Sequence, residues 1–398
     1  MAEVCFLLYK FSKEFMRTLS LLPRVRVNYT FSDLIKAMLV GHNIKYCEQC
    51  KDMISAFYRG ESVLLVPSSR DAIYELLIRL PQKKVVVPSY TCMVVNEAVS
   101  LAGKHIVYAK SNLSIYNSSY TEYINRDTIV LATHQYGLPC NIKEIAKKCH
   151  ETGAVLIEDC ATSMGTKVDG QMTGTFGDYA VISLNQSKTL TVPPFGGILI
   201  GKNADMLKDI ERTAEWCNSG LSFKVKGLLK GFAFVLSKNS YVYKLIHWST
   251  IGRKGKLQRT EHKKMSKRKT AFYKYRFAEW QAFILLEQLK KMDKIFQKRK
   301  KIYSYYNEHI KNPLLTKPIY DPNAVCTRYA VLVEDRRSFY EKCVAQGIDM
   351  DFSHCNICCP SDFEYEHQIA NRVLNLPFYY EMSDYEMQKV IKIVNSII

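Results

Sequence analysis

From residue 62 onward, short apolar runs alternate with stretches of helical periodicity. The apolar runs predict strands at 63–66, 85–87, 105–108, 128–133 and 154–157. The periodic stretches predict helices at 72–80, 93–102 and 142–152. Strands that are apolar at every position are typical of a parallel sheet covered by helices on both faces. The pattern therefore predicts an α/β fold, with a large domain whose mostly parallel sheet is sandwiched by helices.

Polar side chains follow these predicted strands at the points where the strands end. They are Ser68-Ser69-Arg70, Tyr90-Thr91, His134-Gln135-Tyr136, Asp159 and the stretch from Ser183 to Lys188. In open α/β sheets, ligands bind beyond the carboxyl ends of the strands. The sequence therefore predicts a ligand site that collects these groups at one edge of the sheet.

The last part of the chain predicts a smaller α/β domain. Helical spacing at 279–310 predicts one long helix, 330–333 predict a strand, and further helices are predicted near 337–345 and from Asp384. The predicted division is an N-terminal helical extension at 1–60, a large domain at 61–250, a basic excursion with a long linking helix at 251–300, and a small C-terminal domain at 301–398. An apolar stripe from Leu7 to Leu22 predicts a helix that packs on the body, with a membrane-surface helix as the alternative.

The charge balance points to anionic partners. The 398 residues include 56 Lys and Arg against 38 Asp and Glu, a formal net charge of +18. Residues 253–276 contain eleven Lys and Arg and one acid, Glu261. Two interpretations of this segment remain open. It is either a solvated or partner-facing loop, or a segment that contacts an anionic membrane peripherally. Nucleic acid is not expected, because no binding motif accompanies the charge.

The cysteines and the termini predict a cytoplasmic protein. The 13 cysteines form no dense framework, and no uninterrupted apolar run approaches the ~20 residues of a spanning helix. The first ten residues lack the features of a signal peptide. The pairs Cys47/Cys50 and Cys355/Cys358, with Cys359, are interpreted as free thiols, and no metal site is predicted.

Three groups together indicate a cofactor. Lys188 follows an apolar run and is a candidate amine nucleophile, although a lone lysine is usually a surface residue. Asp159 ends a predicted strand, where it can pair with a protonated ring nitrogen or simply cap a helix. The Ser68–Asp71 turn opens a helix, and its N–H groups, hydroxyls and guanidinium can hold a phosphate. A lysine, an aspartate and a phosphate cradle are the parts that pyridoxal 5'-phosphate needs.

Seven motifs follow one another in a specific order. They are Ser68-Ser69-Arg70-Asp71-Ala72, Pro88-Ser89-Tyr90-Thr91, His134-Gln135-Tyr136-Gly137, Glu158-Asp159-Cys160-Ala161, Ser183 with Lys188, Gly196-Gly197, and Arg276 followed by Glu279-Trp280-Gln281-Ala282. In these motifs the chain, from about residue 62 to its end, resembles the DegT/DnrJ/EryC1/StrS family of pyridoxal-phosphate-dependent sugar aminotransferases, of the aspartate-aminotransferase fold type.

The resemblance implies roles for individual residues. Lys188 would carry the cofactor as a Schiff base and then move a proton, and Asp159 would keep the ring nitrogen protonated. His134 would line the cofactor and substrate side. The cofactor phosphate would be bound by Ser69, Arg70, the backbone of Asp71 and Ser183, with Asn185 shaping the cradle. The family is dimeric with shared sites, so Lys274 or Arg276 would reach the neighbouring subunit's phosphate.

Several positions depart from the family pattern. Thr162 stands where a Gln usually contacts the cofactor's phenolic oxygen. Cys92 occupies the place of the aromatic residue that stacks on the ring, with Tyr90 as a candidate substitute. Lys274 replaces a common Asn, and the loop at 192–195 lacks the usual Gly-Glu. These departures lie on the substrate side.

The leading hypothesis is a transaminase that moves an amino group, with glutamate as the expected donor, to a nucleotide-linked keto sugar in cell-surface polysaccharide or related glycan biosynthesis. A dehydratase of the same family is the first alternative, but those members replace the lysine with His, and Lys188 is present here. A non-catalytic or regulatory member that keeps the fold is the second alternative.

Overall fold

A computed structural model describes residues 20–41, 45–111, 116–249, 274–352 and 359–398. Three predicted features therefore lie wholly or largely outside the described residues. They are the apolar stripe that begins at Leu7, most of the basic segment 253–276, and the thiols of Cys355 and Cys358.

A seven-stranded sheet forms the centre of the large domain. Its strands pair in the order β1-β9-β8-β5-β4-β2-β3. Only β9 runs against the others, because it pairs antiparallel with both β1 and β8. The predicted α/β class and mostly parallel sheet are thus confirmed. The strands are β1 Ser62–Val66, β2 Lys84–Pro88, β3 His105–Ala109, β4 Thr128–Thr133, β5 Val155–Asp159, β8 Tyr179–Ser183 and β9 Gly197–Gly201; β6 Lys167–Val168 and β7 Gln171–Met172 form a small separate hairpin.

Helices cover both faces of the sheet, which explains why the strands are apolar throughout. Along β4, Ile129 and Leu131 pack on one face and Val130 and Ala132 on the other, as the pleat requires. The first face is covered by α3 Ser69–Arg79, α4 Met93–Leu101 and α6 Ala204–Thr213; the other face is covered in part by α5 Ile142–Thr152.

The described part of the predicted N-terminal extension belongs to the core of the large domain. It forms α1 Phe31–Met38 and α2 Tyr46–Phe57. Leu34 of α1 and Ile54 of α2 are fully buried among residues of β8 and of the later helix α9. The Cys50 thiol donates to a carbonyl of that helix, Ala282 O, at 3.3 Å. Removing these helices would expose the core, so they are not an appendage.

The predicted long helix at 279–310 is wrong: the chain forms two helices, α9 Glu279–Leu289 and α10 Met292–His309. Lys291 leaves helical geometry between them, with φ −118° and ψ 17°. The helix α9 is buried on most sides, whereas α10 is largely polar on its outer side. The continuous periodicity in the sequence hid this break because both helices keep similar apolar spacing.

The stretch before residue 250 forms two further helices, α7 Leu221–Leu236 and α8 Ser240–His247. Two glycines bring α7 close to the large domain. A Cβ at Gly227 would lie 2.6 Å from Trp280, and one at Gly231 would lie 2.8 Å from Leu34. Within the described residues, no helix is both long and apolar enough to cross a bilayer.

The C-terminal part has its own core, rich in tyrosine. Tyr303, Tyr306 and Tyr329 are buried together with Phe378. A three-stranded antiparallel sheet in the order β10-β11-β12 carries this core. Its elements after α10 are β10 Leu315–Thr316, β11 Tyr329–Val333, α11 Arg336–Ala345, α12 Glu364–Arg372, β12 Val373–Leu376 and α13 Asp384–Ser396.

Candidate active site

The predicted strand-end groups meet around one cavity. It has a volume of about 330 Å³, within the usual range for ligand pockets. The sheet contributes the ends of β1, β2, β4, β5 and β8, and the C-terminal part contributes Arg328 and Phe352. Of the residues predicted from the sequence, Ser69, Arg70, Cys92, Thr162, Ser183, Asn185 and Lys188 line this cavity.

The N-terminus of α3 forms one end of the cavity. Ser68 is its N-cap, and its hydroxyl oxygen accepts from the Asp71 N–H at 3.2 Å. The first N–H groups of a helix have no partner within the helix, so a helix start on the cavity wall suits an anion. The close approach of β9 completes the turn, because a Cβ at Gly197 would lie 2.6 Å from Ser69 N.

Asp71 is placed differently from the prediction. Its N–H donates to Ser68, and its buried carboxylate accepts from the Ser68 hydroxyl at 2.6 Å. Burial raises the pKa of Asp71 to about 7, against the opposing effect of the Ser68 bond. The backbone N–H of Asp71 is therefore already hydrogen-bonded within the turn. Asp71 stabilises the turn and does not line the cavity.

Arg70 carries positive charge at this end of the cavity. Its guanidinium lies 3.4 Å from the carboxylate of Glu97 on α4, and both side chains are largely buried. This ion pair fixes the arginine against the sheet while leaving it on the cavity wall. A phosphate bound here would contact the fixed Arg70 guanidinium as well as N–H groups of the helix.

Lys188 lies in the turn after β8. Its N–H donates to Asn185 O at 3.0 Å, and its side chain is half-buried on the cavity wall. Burial is the main cause that lowers the pKa of Lys188, and the nearby Arg328 guanidinium lowers it further, against the opposing charge of Asp159. A larger fraction of the amine is therefore neutral, which is the form that acts as a nucleophile.

Buried polar side chains hold the backbone that carries Lys188. Arg299 of α10 donates to Lys188 O at 3.3 Å, and Asn28 donates to Thr189 O at 2.6 Å. Gln288 of α9 both accepts from the Thr191 N–H at 2.9 Å and donates to Thr191 O at 2.7 Å. The lysine thus stands on a fixed loop, because three separate segments bind its backbone.

Asp159 ends β5 as a buried carboxylate. It accepts from the Ala161 N–H at 3.0 Å and lies 3.5 Å from the Thr133 hydroxyl. Burial raises its pKa, while the Ala161 bond and the charges of Lys188 and His134 act in the opposite direction. Among the described residues, no ion pair includes Asp159, and the cavity lining includes its neighbours Ala161 and Thr162 but not Asp159 itself.

His134 does not line the cavity, contrary to the prediction. Thr133 and Gln135 face the cavity, and the residue between them points the other way because side chains alternate along an extended chain. The His134 ring is fully buried, with Nε2 3.2 Å from Glu158 Oε2 and Nδ1 accepting from Cys140 N–H at 3.2 Å.

His134 instead positions the strand ends. Its carbonyl accepts from the Thr162 hydroxyl at 2.7 Å, and its N–H donates to Asp159 O at 3.2 Å. His134, Glu158 and Cys160 place three potential metal-ligand atoms within 4.8 Å. The Glu158 carboxylate already accepts from the N–H groups of Gly174, Phe176 and Gly177, so hydrogen bonds account for this cluster.

Tyr90 and Lys274 also lie off the cavity wall. The Tyr90 hydroxyl is hydrogen-bonded to that of Tyr136 at 2.7 Å inside the core, so Tyr90 does not replace the stacking aromatic. Cys92 lines the cavity as the N-cap residue of α4. Lys274 is exposed, and its carbonyl accepts from Cys217 N–H at 2.6 Å.

Arg328 is the main cavity residue that the sequence did not reveal. It is buried just before β11, pairs with Asp351, and donates to the Ser187 hydroxyl at 3.1 Å beside Lys188. Phe352 adds an apolar wall, and Thr91 and Gln135 add polar groups. A basic residue before the apolar run at 330–333 was the only available signal for Arg328, and nothing local connects it with Lys188.

A larger cleft of about 470 Å³ lies at the opposite ends of β5 and β8. His150, Asp178 and Lys202 line it together with apolar residues. The Asp178 carboxylate accepts from the Leu156 N–H at 2.8 Å and is therefore a structural group. None of the predicted site residues lies there, and the strand-end cavity is the better candidate because it collects Lys188 and the Ser68–Arg70 turn.

Comparison with known proteins identifies the family of this chain. The model of the DegT/DnrJ/EryC1/StrS aminotransferase family matches residues 45–395. GDP-perosamine synthase of Vibrio cholerae is 29% identical over 185 residues, which are 45% of this chain and only 50% of that relative's length. The dTDP-3-amino-3,6-dideoxy-alpha-D-galactopyranose transaminase of Aneurinibacillus thermoaerophilus is 26% identical over 328 residues, 78% of either chain.

Solved structures share the fold. NtdA from Bacillus subtilis, with its cofactor PMP bound, superimposes with a TM-score of 0.65 at 18% identity, over 94% of this chain and 83% of that one. The family match confirms the aminotransferase family expected from the sequence, and the superposition confirms its fold. The chain belongs to the DegT/DnrJ/EryC1/StrS aminotransferase family.

Proposed function

We propose that this protein transfers an amino group from an amino acid, with glutamate as the expected donor, to a keto sugar carried on a nucleotide. The observation that carries the proposal is the cavity in which a half-buried lysine of lowered pKa lies near a buried carboxylate and an anion-binding helix end. The product would serve the synthesis of cell-surface polysaccharide or a related glycan.

The residues of the cavity fit pyridoxal phosphate. The N–H groups that open α3, the hydroxyls of Ser69 and Ser183, and Arg70 would hold the phosphate. The Asp159 carboxylate would pair with the ring nitrogen. Thr91 supports the fit, because its buried hydroxyl borders the cavity and has no hydrogen-bond partner among the described residues. Such an atom is expected where a ligand completes the site.

When bound, pyridoxal phosphate supplies an aldehyde for the amino group and a ring that withdraws electrons from the reacting carbon. Lys188 would hold the cofactor through Nζ, and its amine would accept and return a proton at the reacting carbon. Asp159 would keep the ring nitrogen protonated, because its negative charge in a buried site favours the nearby positive charge. Phe352 would limit the entry of water on the substrate side.

Basic groups support an anionic sugar substrate. Arg328 and Arg70 stand on the cavity wall with Lys188, and the chain carries a net charge of +18. A nucleotide-linked sugar has a diphosphate that this field attracts. The names of the two relatives also refer to GDP- and dTDP-linked sugars.

A homodimer with shared sites is part of the proposal. Lys274 is exposed and free of ion pairs among the described residues, so it is available to reach a neighbouring subunit. Arg276 is a weaker candidate, because its guanidinium donates to Glu211 O at 2.7 Å in its own subunit. We also propose a cytoplasmic location, for which the free thiols of the ten described cysteines offer support.

The test follows the cofactor and then the reaction. Full-length protein loaded with pyridoxal phosphate and treated with borohydride should carry the cofactor on the Lys188 peptide by mass spectrometry. Incubation with a panel of amino acids should then change the absorbance spectrum of the bound cofactor. Addition of keto-sugar nucleotides should restore the original spectrum. Lys188→Ala should lose both signals, with Lys202→Ala as the matched control outside the cavity. Turnover by Lys188→Ala would refute the proposal, and a correctly labelled enzyme inactive with every substrate pair would favour the non-catalytic alternative.

A further inference from the structure

The helix α7 has an unusual distribution of side-chain size. Leu221, Val225 and Leu229 form a stripe at four-residue spacing and are 77%, 46% and 63% exposed. The opposite face, which meets the large domain, includes Gly227 and Gly231. An amphipathic helix of a globular protein normally turns its large apolar side chains inward. The outer stripe of α7 is therefore not explained by packing within this chain.

The stripe continues onto the neighbouring helices. Leu245 and Trp248, on and just after α8, are 68% and 57% exposed. On the other side, α1 packs against α7, with the rings of Phe31 and Phe232 5.8 Å apart. We call the exposed apolar side chains Leu221, Val225, Leu229, Leu236, Leu245 and Trp248 the outer apolar face. Exposed apolar surfaces of this extent mark contact sites.

Lysines flank this face, and acids are missing from its chain segment. Lys226 and Lys230 are exposed directly beside Val225 and Leu229 and form no ion pair within the described residues. No Asp or Glu occurs between Glu215 and Glu261. In the sequence that follows α8, residues 250–273 carry nine Lys and Arg and one Glu. The described residues of this chain segment therefore add only positive charge beside the outer apolar face.

The positive charge of these lysines distinguishes between two candidate partners for the outer apolar face. A second copy of the chain on a two-fold axis would bring the same lysine-flanked face against itself, so like charges would oppose each other. An anionic bilayer accepts aliphatic and indole groups at the acyl boundary and attracts lysines to its headgroups. We propose that the outer apolar face binds the enzyme peripherally to membranes that contain anionic lipid.

The test uses full-length, cofactor-loaded protein and vesicles of phosphatidylcholine with and without phosphatidylglycerol. Co-sedimentation should require the anionic lipid and fall steeply as salt is raised. Lys226→Glu/Lys230→Glu should weaken the partition roughly 30-fold, taking about 1 kcal/mol for each lysine lost. Lys143→Glu/Lys147→Glu on α5 makes the same change in charge on an unrelated surface and should leave binding close to wild type.

A second measurement reports the depth of contact. Brominated lipids should quench the fluorescence of Trp248, and Trp248→Phe should lose that quenched component. Leu229→Ser should weaken binding without altering transamination, since Leu229 is not among the residues that line the cavity. Equal sedimentation with neutral vesicles, or equal binding by both charge-reversed proteins, would overturn the proposal. Sedimentation velocity identifies the other occupant: dissociation of a dimer by Leu229→Ser would assign the face to subunit contact instead.

Discussion

At the scale of single residues, the chemistry of the cavity depends on how neighbours set the state of each group. Lys188 is shifted toward its neutral form mainly by burial and secondly by Arg328. Asp159 is held in a buried position that favours a cationic partner, because protein groups satisfy it only in part. The reactivity of both groups thus comes from their surroundings rather than from residue type alone.

Removing the charge of Arg328 should raise the pKa of Lys188. The neutral amine is the form that reacts, so cofactor loading of the cofactor-free protein should rise with pH through this pKa. In Arg328→Gln the midpoint should move to higher pH, both because a positive neighbour is lost and because Asp351, which keeps Arg24, is neutralised by one arginine fewer. Stopped-flow absorbance during loading measures the midpoint. Arg328→Lys keeps the charge and should stay near wild type; an unmoved midpoint in Arg328→Gln would contradict the prediction.

Gly197→Ala should loosen the anion-binding turn. The new methyl would lie 2.6 Å from Ser69 N, so the start of α3 must move away from β9. Such overpacking typically costs about 1–3 kcal/mol. We expect lower stability in thermal unfolding and a higher Kd for pyridoxal phosphate. Gly41→Ala is the control, since a Cβ there meets nothing within 4 Å, and equal cofactor affinity in both variants would argue against the proposed phosphate site.

At the scale of elements, α8 is connected to the cavity through buried charges. The Tyr243 hydroxyl donates to Asp349 at 2.6 Å, and Arg24 lies 3.8 Å from Asp349 and 3.6 Å from Asp351. Asp351 in turn pairs with Arg328 on the cavity wall. A helix on the protein surface therefore helps to hold a residue beside Lys188.

Tyr243→Phe should destabilise the protein through Asp349. The buried carboxylate would keep the Tyr340 hydroxyl at 3.0 Å but lose its shorter bond. Loss of a hydrogen bond to a buried charged group costs about 1.5–3 kcal/mol. Denaturant unfolding should show this loss, while Tyr241→Phe on the exposed side of α8 should show almost none. A Tyr243→Phe protein as stable as wild type would mean that water replaces the hydroxyl.

At the scale of the whole molecule, the cavity joins the two parts of the chain. The large domain supplies Lys188 and the α3 turn, and the C-terminal part supplies Arg328 and Phe352. Arg299, fully buried in α10, donates to Lys188 O as well as to Cys326 O at 3.3 Å. A ligand in the cavity therefore contacts both parts and should stabilise them as a unit.

Cofactor loading should raise the unfolding temperature of the full-length protein. A ligand present at 100 times its Kd stabilises the folded state by about 2.7 kcal/mol, if it does not bind the unfolded chain. Differential scanning calorimetry before and after removal of the cofactor measures the change. Lys188→Ala should show a smaller rise, because it keeps the phosphate contacts but loses the covalent bond. An identical rise in both proteins would mean that the lysine does not hold the cofactor.

The sequence by itself determined strands β1 to β5 of the central sheet, the helices α3, α4, α5, α11 and α13, and the edge of the sheet at which the polar groups meet. Each of those strands is a short apolar run, and the groups Ser69, Asp159 and Lys188 follow strands whose carboxyl ends must share one edge. These inferences hold because they depend on local pattern and on a general property of parallel sheets.

Only the tertiary structure decided which neighbours turn toward the cavity. His134 and Tyr90 point away from it because they alternate with the lining residues Thr133, Gln135 and Thr91, a choice fixed by the pleat and by burial. Arg328 reaches Lys188 from 140 positions away only when the C-terminal part packs on the sheet. The direction of a side chain and long-range packing are set by the folded surroundings, and a linear pattern does not contain them.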